Sequence, residues 1–183
     1  MSSLTKGTYM YWKLSARLIL AYSLLFLTLL TASHEISIDG RLDDASWKQA
    51  VEYTKYYESL PFTLDEPKDF QKVLILEDEK GIYLGFVNEQ AKDTVRANKH
   101  ERDDEMANTD KAGLAIDFDG DGLAAYSFTV SASGSISDGI YRNENEVNYD
   151  WDADWKSAVF IDENFWYIEM FIPWTIAPMK SVE

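Results

Sequence analysis

Apolar side chains recur at every second position along several stretches of this chain. Leu123–Val130 places Ala124, Tyr126, Phe128 and Val130 on one face and Ser127 and Thr129 on the other. Phe165–Ile172 does the same with Trp166, Ile168, Met170 and Ile172, leaving Glu169 opposite. Shorter copies occur at Val73 and Ile75, at Ile82, Leu84 and Phe86, and at Ala112, Leu114 and Ile116. A period of two over such lengths is that of a strand with one buried face. Between these stretches stand turn formers: Asp78–Gly81, Asp119–Gly122, Ser133–Gly134 and Asp162–Asn164. Short strands separated by such turns predict an all-β fold, a β-sandwich of immunoglobulin-like or jelly-roll type. Its core is expected to gather Trp166, Ile168, Met170, Phe128, Tyr126, Leu84 and Phe86 between two sheets. Helix is minor: Asp43–Ala50 has room for two turns, with Asp43 or Asp44 as N-cap. Residues 88–111 read as a long loop with a helical turn, and 142–154 as a second loop.

Residues 1–33 break the pattern. Lys6, Lys13 and Arg17 precede a 13-residue, mostly apolar run from Leu18 to Leu30, and the small residues Thr31, Ala32 and Ser33 follow. Basic, apolar and small segments in that order are those of a secretory signal peptide, and the run is shorter than the about 20 residues of a membrane span. The expected mature domain is therefore 34–183, exported to the periplasm, the outer membrane or the extracellular space. The charge is consistent with a soluble exported domain: 17 Lys+Arg against 32 Asp+Glu, a formal net charge of −15. So acidic a chain is a poor partner for nucleic acid, whose binding rests on basic patches. The absence of Cys excludes disulfides, thiolate metal sites and Cys nucleophiles, and two His leave little for a zinc site or a Ser-His-Asp triad. Carboxylate pairs are too numerous for any one to stand out as acid and base, so no enzymatic activity is expected.

Three stretches carry a resemblance. Ile38-Asp-Gly-Arg-Leu-Asp-Asp-Ala-Ser-Trp47 resembles the opening of carbohydrate-binding module family 9 and its DOMON-like relatives. Val73 through Phe86, a strand, an acidic turn and a second strand, is similar to that family's next signature. Asp110–Asp117 and Phe165–Pro173 resemble its later strands. The spacing is most similar to the version at the N-terminus of large bacterial exported proteins whose C-terminal part looks like an outer-membrane β-barrel. The resemblance implies a β-sandwich, polysaccharide or oligosaccharide as ligand, and a C-terminal barrel portion as partner. It also implies a further core strand beyond Ile172-Pro-Trp174, so the domain is expected to lack its last strand or strands and to expose a sheet edge. The runner-up is a structural or interaction domain of an outer-membrane protein without sugar affinity.

Sugar-binding members of the family carry an aromatic residue, a Glu and an Arg at positions that are Ala107, Gly113 and Ser127 here. Glycan affinity must then come from elsewhere. The densest aromatic and acidic cluster supplies Trp151 and Trp155, which offer rings to stack on a sugar, with Arg102, Asp104 and Asp138 as polar partners. Against this, Trp155 can simply begin a strand and point inward. Asp117-Phe-Asp-Gly-Asp-Gly122 matches the start of a calcium loop, with Asp117, Asp119 and Asp121 as candidate ligands for Ca²⁺. The twelfth position is Phe128 instead of Glu, which excludes an EF-hand; the alternative is a tight turn between strands.

Overall fold

The computed structural model describes residues 36–104, 106–142 and 146–177. The chain divides into two units, 1–34 and 35–183; the signal-peptide assignment lies outside the described residues.

The described residues form nine strands: β1 (Val51–Tyr53), β2 (Gln71–Glu77), β3 (Gly81–Glu89), β4 (Lys111–Ile116), β5 (Ala124–Ser131), β6 (Ile136–Arg142), β7 (Glu146–Asn148), β8 (Lys156–Ile161) and β9 (Phe165–Pro173). They make two antiparallel sheets, β1-β2-β3-β9-β8 and β4-β5-β6-β7. Short 3₁₀ turns cover Ala45–Gln49, Lys92–Thr94 and Trp174–Ile176. The sandwich expected from the alternation is thus present, and the four expected turns close hairpins β2–β3, β4–β5, β5–β6 and β8–β9. Three strands show no readable alternation, among them β6, which mixes Gly, Ser and Asp. β1 is three residues long, too short for a period to show, and β7 interrupts the expected loop 142–154.

Register sets the core. Val73 lies opposite Phe86, Leu84 opposite Met170, and Phe86 opposite Ile168, so their side chains share one face of the larger sheet. That face packs on Phe128 and Val130 of β5, both fully buried. All seven expected core residues join this cluster, Tyr126 at its half-buried margin.

The expectation of one buried face per strand fails for the larger sheet. Leu74, Leu76 and Tyr83 on its outer face are buried as well, under Trp47, Ile36, Ile38 and Leu42. The N-terminal segment is therefore a third layer. Its anchor is Glu169, which alternation alone would place in solvent but which is 1% exposed. Glu169 Oε2 accepts the backbone N–H groups of Asp39 at 2.8 Å and Gly40 at 2.7 Å, and Oε1 accepts Trp47 Nε1–H at 2.9 Å. Gly40 has φ +89, and a Cβ there would lie 2.7 Å from the Val159 carbonyl carbon, so only glycine fits. Gly85, opposite Glu169 in the register, leaves room for Leu42, whose Cδ2 would lie 2.4 Å from a Cβ there. The Ile38–Trp47 motif is thus the complement of one buried carboxylate. Ala45–Gln49 forms a single 3₁₀ helix; Asp44, at its N-cap, turns its side chain back to accept Ser37 N–H.

The smaller sheet ends at β4, which has no second neighbouring strand among the described residues. Its inward residues Ala112, Leu114 and Ile116 are only half-buried.

Candidate functional site

Arg102, Asp138 and the segment around Trp151 and Trp155 do come together. Asp138 on β6 is completely buried. Its Oδ1 accepts Arg102 Nε–H at 2.9 Å and a second hydrogen bond from the same guanidinium, and its Oδ2 accepts Ala153 N–H at 2.8 Å. Arg102 also donates to the Ala153 carbonyl at 3.1 Å and approaches Asp152 Oδ1 at 2.8 Å and Asp103 Oδ2 at 3.7 Å. Asp103 Oδ1 in turn accepts the Asp138 N–H at 2.9 Å. Burial, reinforced by the neighbouring Asp138 charge, pushes the Asp103 carboxyl above the usual carboxylate range. Asp104 stands apart: it is exposed, and its carboxylate caps the turn through Met106 N–H.

This node ties the loop before β4 to the segment before β8. Oxygens of Asp103, Asp138 and Asp152 lie within 4.8 Å of one another, a spacing that suits a cation. The cation already among them is the Arg102 guanidinium, so the trio does not fit a divalent ion, which would have to displace it.

Trp155 is 7% exposed and packs edge-on against Phe128 at 5.5 Å between ring centroids. It ends the approach to β8 by pointing inward, and no ring face is left for a sugar. Trp151 is half-buried, edge-on to Tyr126 at 4.9 Å and to Phe128 at 6.0 Å. Trp155 thus belongs to the core and Trp151 to its half-buried margin. An indole brings the largest apolar area available at a sandwich end, and here burial takes it.

The Asp117–Gly122 segment is a turn. Asp117 Oδ1 accepts Asp119 N–H at 3.1 Å and Gly120 N–H at 2.8 Å, and Oδ2 accepts Gly122 N–H at 2.7 Å. Gly120 and Gly122 take φ +65 and +72. Asp121 Oδ1 accepts Leu123 N–H at 3.0 Å. Asp117 is thus held by its own loop, and among the described residues the carboxylates that converge are Asp103, Asp138 and Asp152, not Asp117, Asp119 and Asp121. The hydrogen bonds of this loop are those of a tight turn.

A different surface has the shape of a binding face. By register, Gly113, Ala115, Ala125, Ser127, Thr129 and Gly139 turn outward from the smaller sheet. All but the buried Gly139 line two adjoining shallow grooves of about 430 and 360 Å³, which share Ala115 and Tyr141. Asp117 lines one groove and Lys111 the other. Tyr141, opposite Ala125, is the single aromatic side chain lining them among the described residues. Sequence reading missed Tyr141: β6 mixes Gly, Ser and Asp and shows no clean alternation, although its outward residues face those of β5. Gly113, where sugar-binding members of the resembling family have Glu, is closely packed. A Cβ there would lie 2.3 Å from the Phe128 carbonyl oxygen and 2.7 Å from Thr129 Oγ1.

No family model and no curated protein matches the sequence. Among solved structures, the chain is similar to a "putative carbohydrate-binding protein" from Bacteroides uniformis, at 14% identity and a TM-score of 0.53. The similarity covers 77% of this chain and 69% of that one. At this identity the likeness is one of fold, and the fold it shows is the sandwich described above.

Proposed function

We propose that this chain is a non-catalytic, exported module that binds carbohydrate on the outer face of its smaller sheet. The observation that carries the reading is the groove floored by Gly113, Ala115, Ser127 and Thr129 and bordered by Tyr141. Small side chains let a flat polymer approach the sheet closely. A tyrosine ring stacks on the apolar face of a pyranose, and the hydroxyls of Ser127 and Thr129 give and accept hydrogen bonds as sugar hydroxyls do. The same face holds Gly113 and Ser127, where sugar-binding members of the resembling family carry a Glu and an Arg that this chain lacks, so affinity here rests on Tyr141 and the hydroxyls. The likeness in fold to the Bacteroides protein supports the same reading through its printed description.

A shallow face with one ring predicts weak binding, with Kd between roughly 1 mM and tens of micromolar, about −4 to −6 kcal/mol. Calorimetric titration of the folded protein with neutral β-linked oligosaccharides tests this. Heat should saturate with wild type and vanish with Tyr141→Ala at unchanged melting temperature. If no oligosaccharide gives saturable heat at millimolar concentration, or if Tyr141→Ala binds as wild type does, carbohydrate binding at this face is wrong.

A further inference from the structure

The Ile38–Trp47 segment holds Glu169, but the side chain of Arg41 takes no part in that. Gly40 crosses β8 so closely that a Cβ there would lie 2.7 Å from the Val159 carbonyl carbon and 2.8 Å from the Phe160 nitrogen. This crossing sets the next residue above Phe160: the Arg41 guanidinium carbon lies 4.1 Å from the centroid of its ring. Phe160 pairs with Tyr167, and their rings lie 6.0 Å apart at an angle of 24°. The Tyr167 hydroxyl donates to Asp162 Oδ2 at 3.1 Å, while Asp162 Oδ1 accepts the amides of Asn164 and Phe165. The β8–β9 turn thus fixes the tyrosine ring and occupies the Asp162 carboxylate. Arg41, Leu42, Asp43, Phe160, Asp162 and Tyr167 line a shallow pocket of about 270 Å³. It lies on the outer face of the larger sheet, between the third layer and the β8–β9 hairpin, so a strand added at a sheet edge would run beside it. Two carboxylates line it, yet Arg41 is ion-paired with neither, and its guanidinium donates no hydrogen bond among the described residues. Asp43 is likewise without an ion pair among them.

We propose that this pocket is a second carbohydrate site, which takes one neutral pyranose unit against Arg41, Asp43 and Tyr167. A guanidinium laid over an aromatic ring keeps its N–H donors at its rim, where the fork meets the oxygens of two neighbouring hydroxyls. Asp43 accepts a hydroxyl proton, which a guanidinium cannot do. Only a ligand that both gives and accepts hydrogen bonds satisfies this pair. A carboxylate ligand would satisfy Arg41 but would face Asp43, on a chain of net charge −15. A cationic ligand would satisfy Asp43 but would face Arg41. The tyrosine ring offers the apolar surface on which a sugar ring rests. The volume is below the roughly 300–1,000 Å³ of pockets that hold drug-sized ligands, which limits the ligand to a single sugar unit and leaves no room for a strand. The pocket is on the far side of the sandwich from Tyr141, so the two sites are independent and together engage two stretches of polysaccharide.

The test follows the Arg41 Nε–H and the Phe160 and Tyr167 amides by heteronuclear NMR. Methyl β-glucoside, methyl β-galactoside, methyl α-mannoside and methyl β-xyloside are added in turn to the folded protein, with sodium acetate as the anionic control. At least one glycoside should shift all three resonances saturably at millimolar concentration. Arg41→Met, at an exposed position, keeps an apolar stem on Phe160. The melting temperature should hold, and the response at Phe160 and Tyr167 should vanish. Arg41→Lys keeps the charge but loses the fork, and should weaken binding at least tenfold. Tyr141→Ala should leave the response intact. The proposal is overturned if no glycoside shifts these resonances, or if Arg41→Met responds as wild type does. It is equally overturned if acetate binds more tightly than every glycoside, since the pocket would then be an anion site. Loss of the response in Tyr141→Ala would overturn it too, because the two sites would not be independent. A response here with no binding at Tyr141 would support this site and refute only the reading of the smaller sheet.

Discussion

At the scale of single residues, buried charge decides more here than surface charge. Among the described residues, Glu169 has three donors and no cation. Burial raises its pKa above the ordinary carboxylate range, and the hydrogen bonds from Asp39, Gly40 and Trp47 offset this only in part. A raised folded-state pKa means that the folded protein holds the proton more tightly than the unfolded chain does. The stability this contributes is complete below the unfolded value of about 4.3 and is lost as pH rises through the folded one. Thermal melts at a series of pH values should therefore show wild type losing stability relative to Glu169→Gln on going from acid to neutral pH. A constant difference between the two would contradict the assignment. Trp47→Phe keeps most of the ring but leaves Oε1 without its donor, at a cost of about 1.5–3 kcal/mol. Arg102 presents the opposite case. Its removal strands the carboxylate of Asp138, which is fully buried, so Arg102→Ala should cost about 3 kcal/mol. That is the low end for a broken buried pair, because the guanidinium itself is one-third exposed. Chemical denaturation measures both costs.

At the scale of elements, alternation was legible wherever one face met the core and the other met solvent, as in β5. It misled where a strand is covered twice. β3 and β9 read as one-faced, and nothing within Phe165–Pro173 says that Glu169 is buried, because its partners lie about 130 positions earlier in the chain. The turns were legible because Asp and Gly act locally, and Asp117 shows the limit of that reading. The same Asp-x-Asp-Gly spacing suits a metal loop and a tight turn, and only the direction of the carboxylate separates them. If the turn holds the carboxylate, Asp117→Ala should cost about 1–3 kcal/mol through its lost charge-assisted hydrogen bonds. Millimolar Ca²⁺ should leave the melting temperature of wild type unchanged. A rise with calcium that Asp119→Asn and Asp121→Asn together remove would reinstate the metal site. For Trp151 and Trp155, composition showed a cluster but not its direction. Indoles beside carboxylates look alike whether they close a core or meet a sugar, and the difference lies in Phe128 and Tyr126, more than twenty residues away.

At the scale of the whole molecule, two sheets would leave Leu74, Leu76 and Tyr83 in water, and the segment from Ile36 to Ala50 is what covers them. The larger sheet is therefore the middle of three layers. This constrains where the N-terminus could be cut without loss of the third layer. The cleavage after Ala32 or Ser33 that a signal peptide would require would keep Ile36 and Ile38, which pack on the outer cluster, together with the Asp39 and Gly40 amides that hold Glu169. A chain beginning at Asp43 keeps Trp47 but loses all four. It would leave Glu169 buried with one donor and uncover part of an apolar face, and an unpaired buried carboxylate alone costs several kcal/mol. Marginally stable domains do not absorb such a loss. A chain beginning at His34 should unfold cooperatively on heating and stay soluble. The same chain cut back to Asp43 should melt far lower or fail to fold, with exposed outer-face residues driving aggregation. Equal melting temperatures for the two chains would show that the N-terminal layer is an accessory and that Glu169 needs no partner from it.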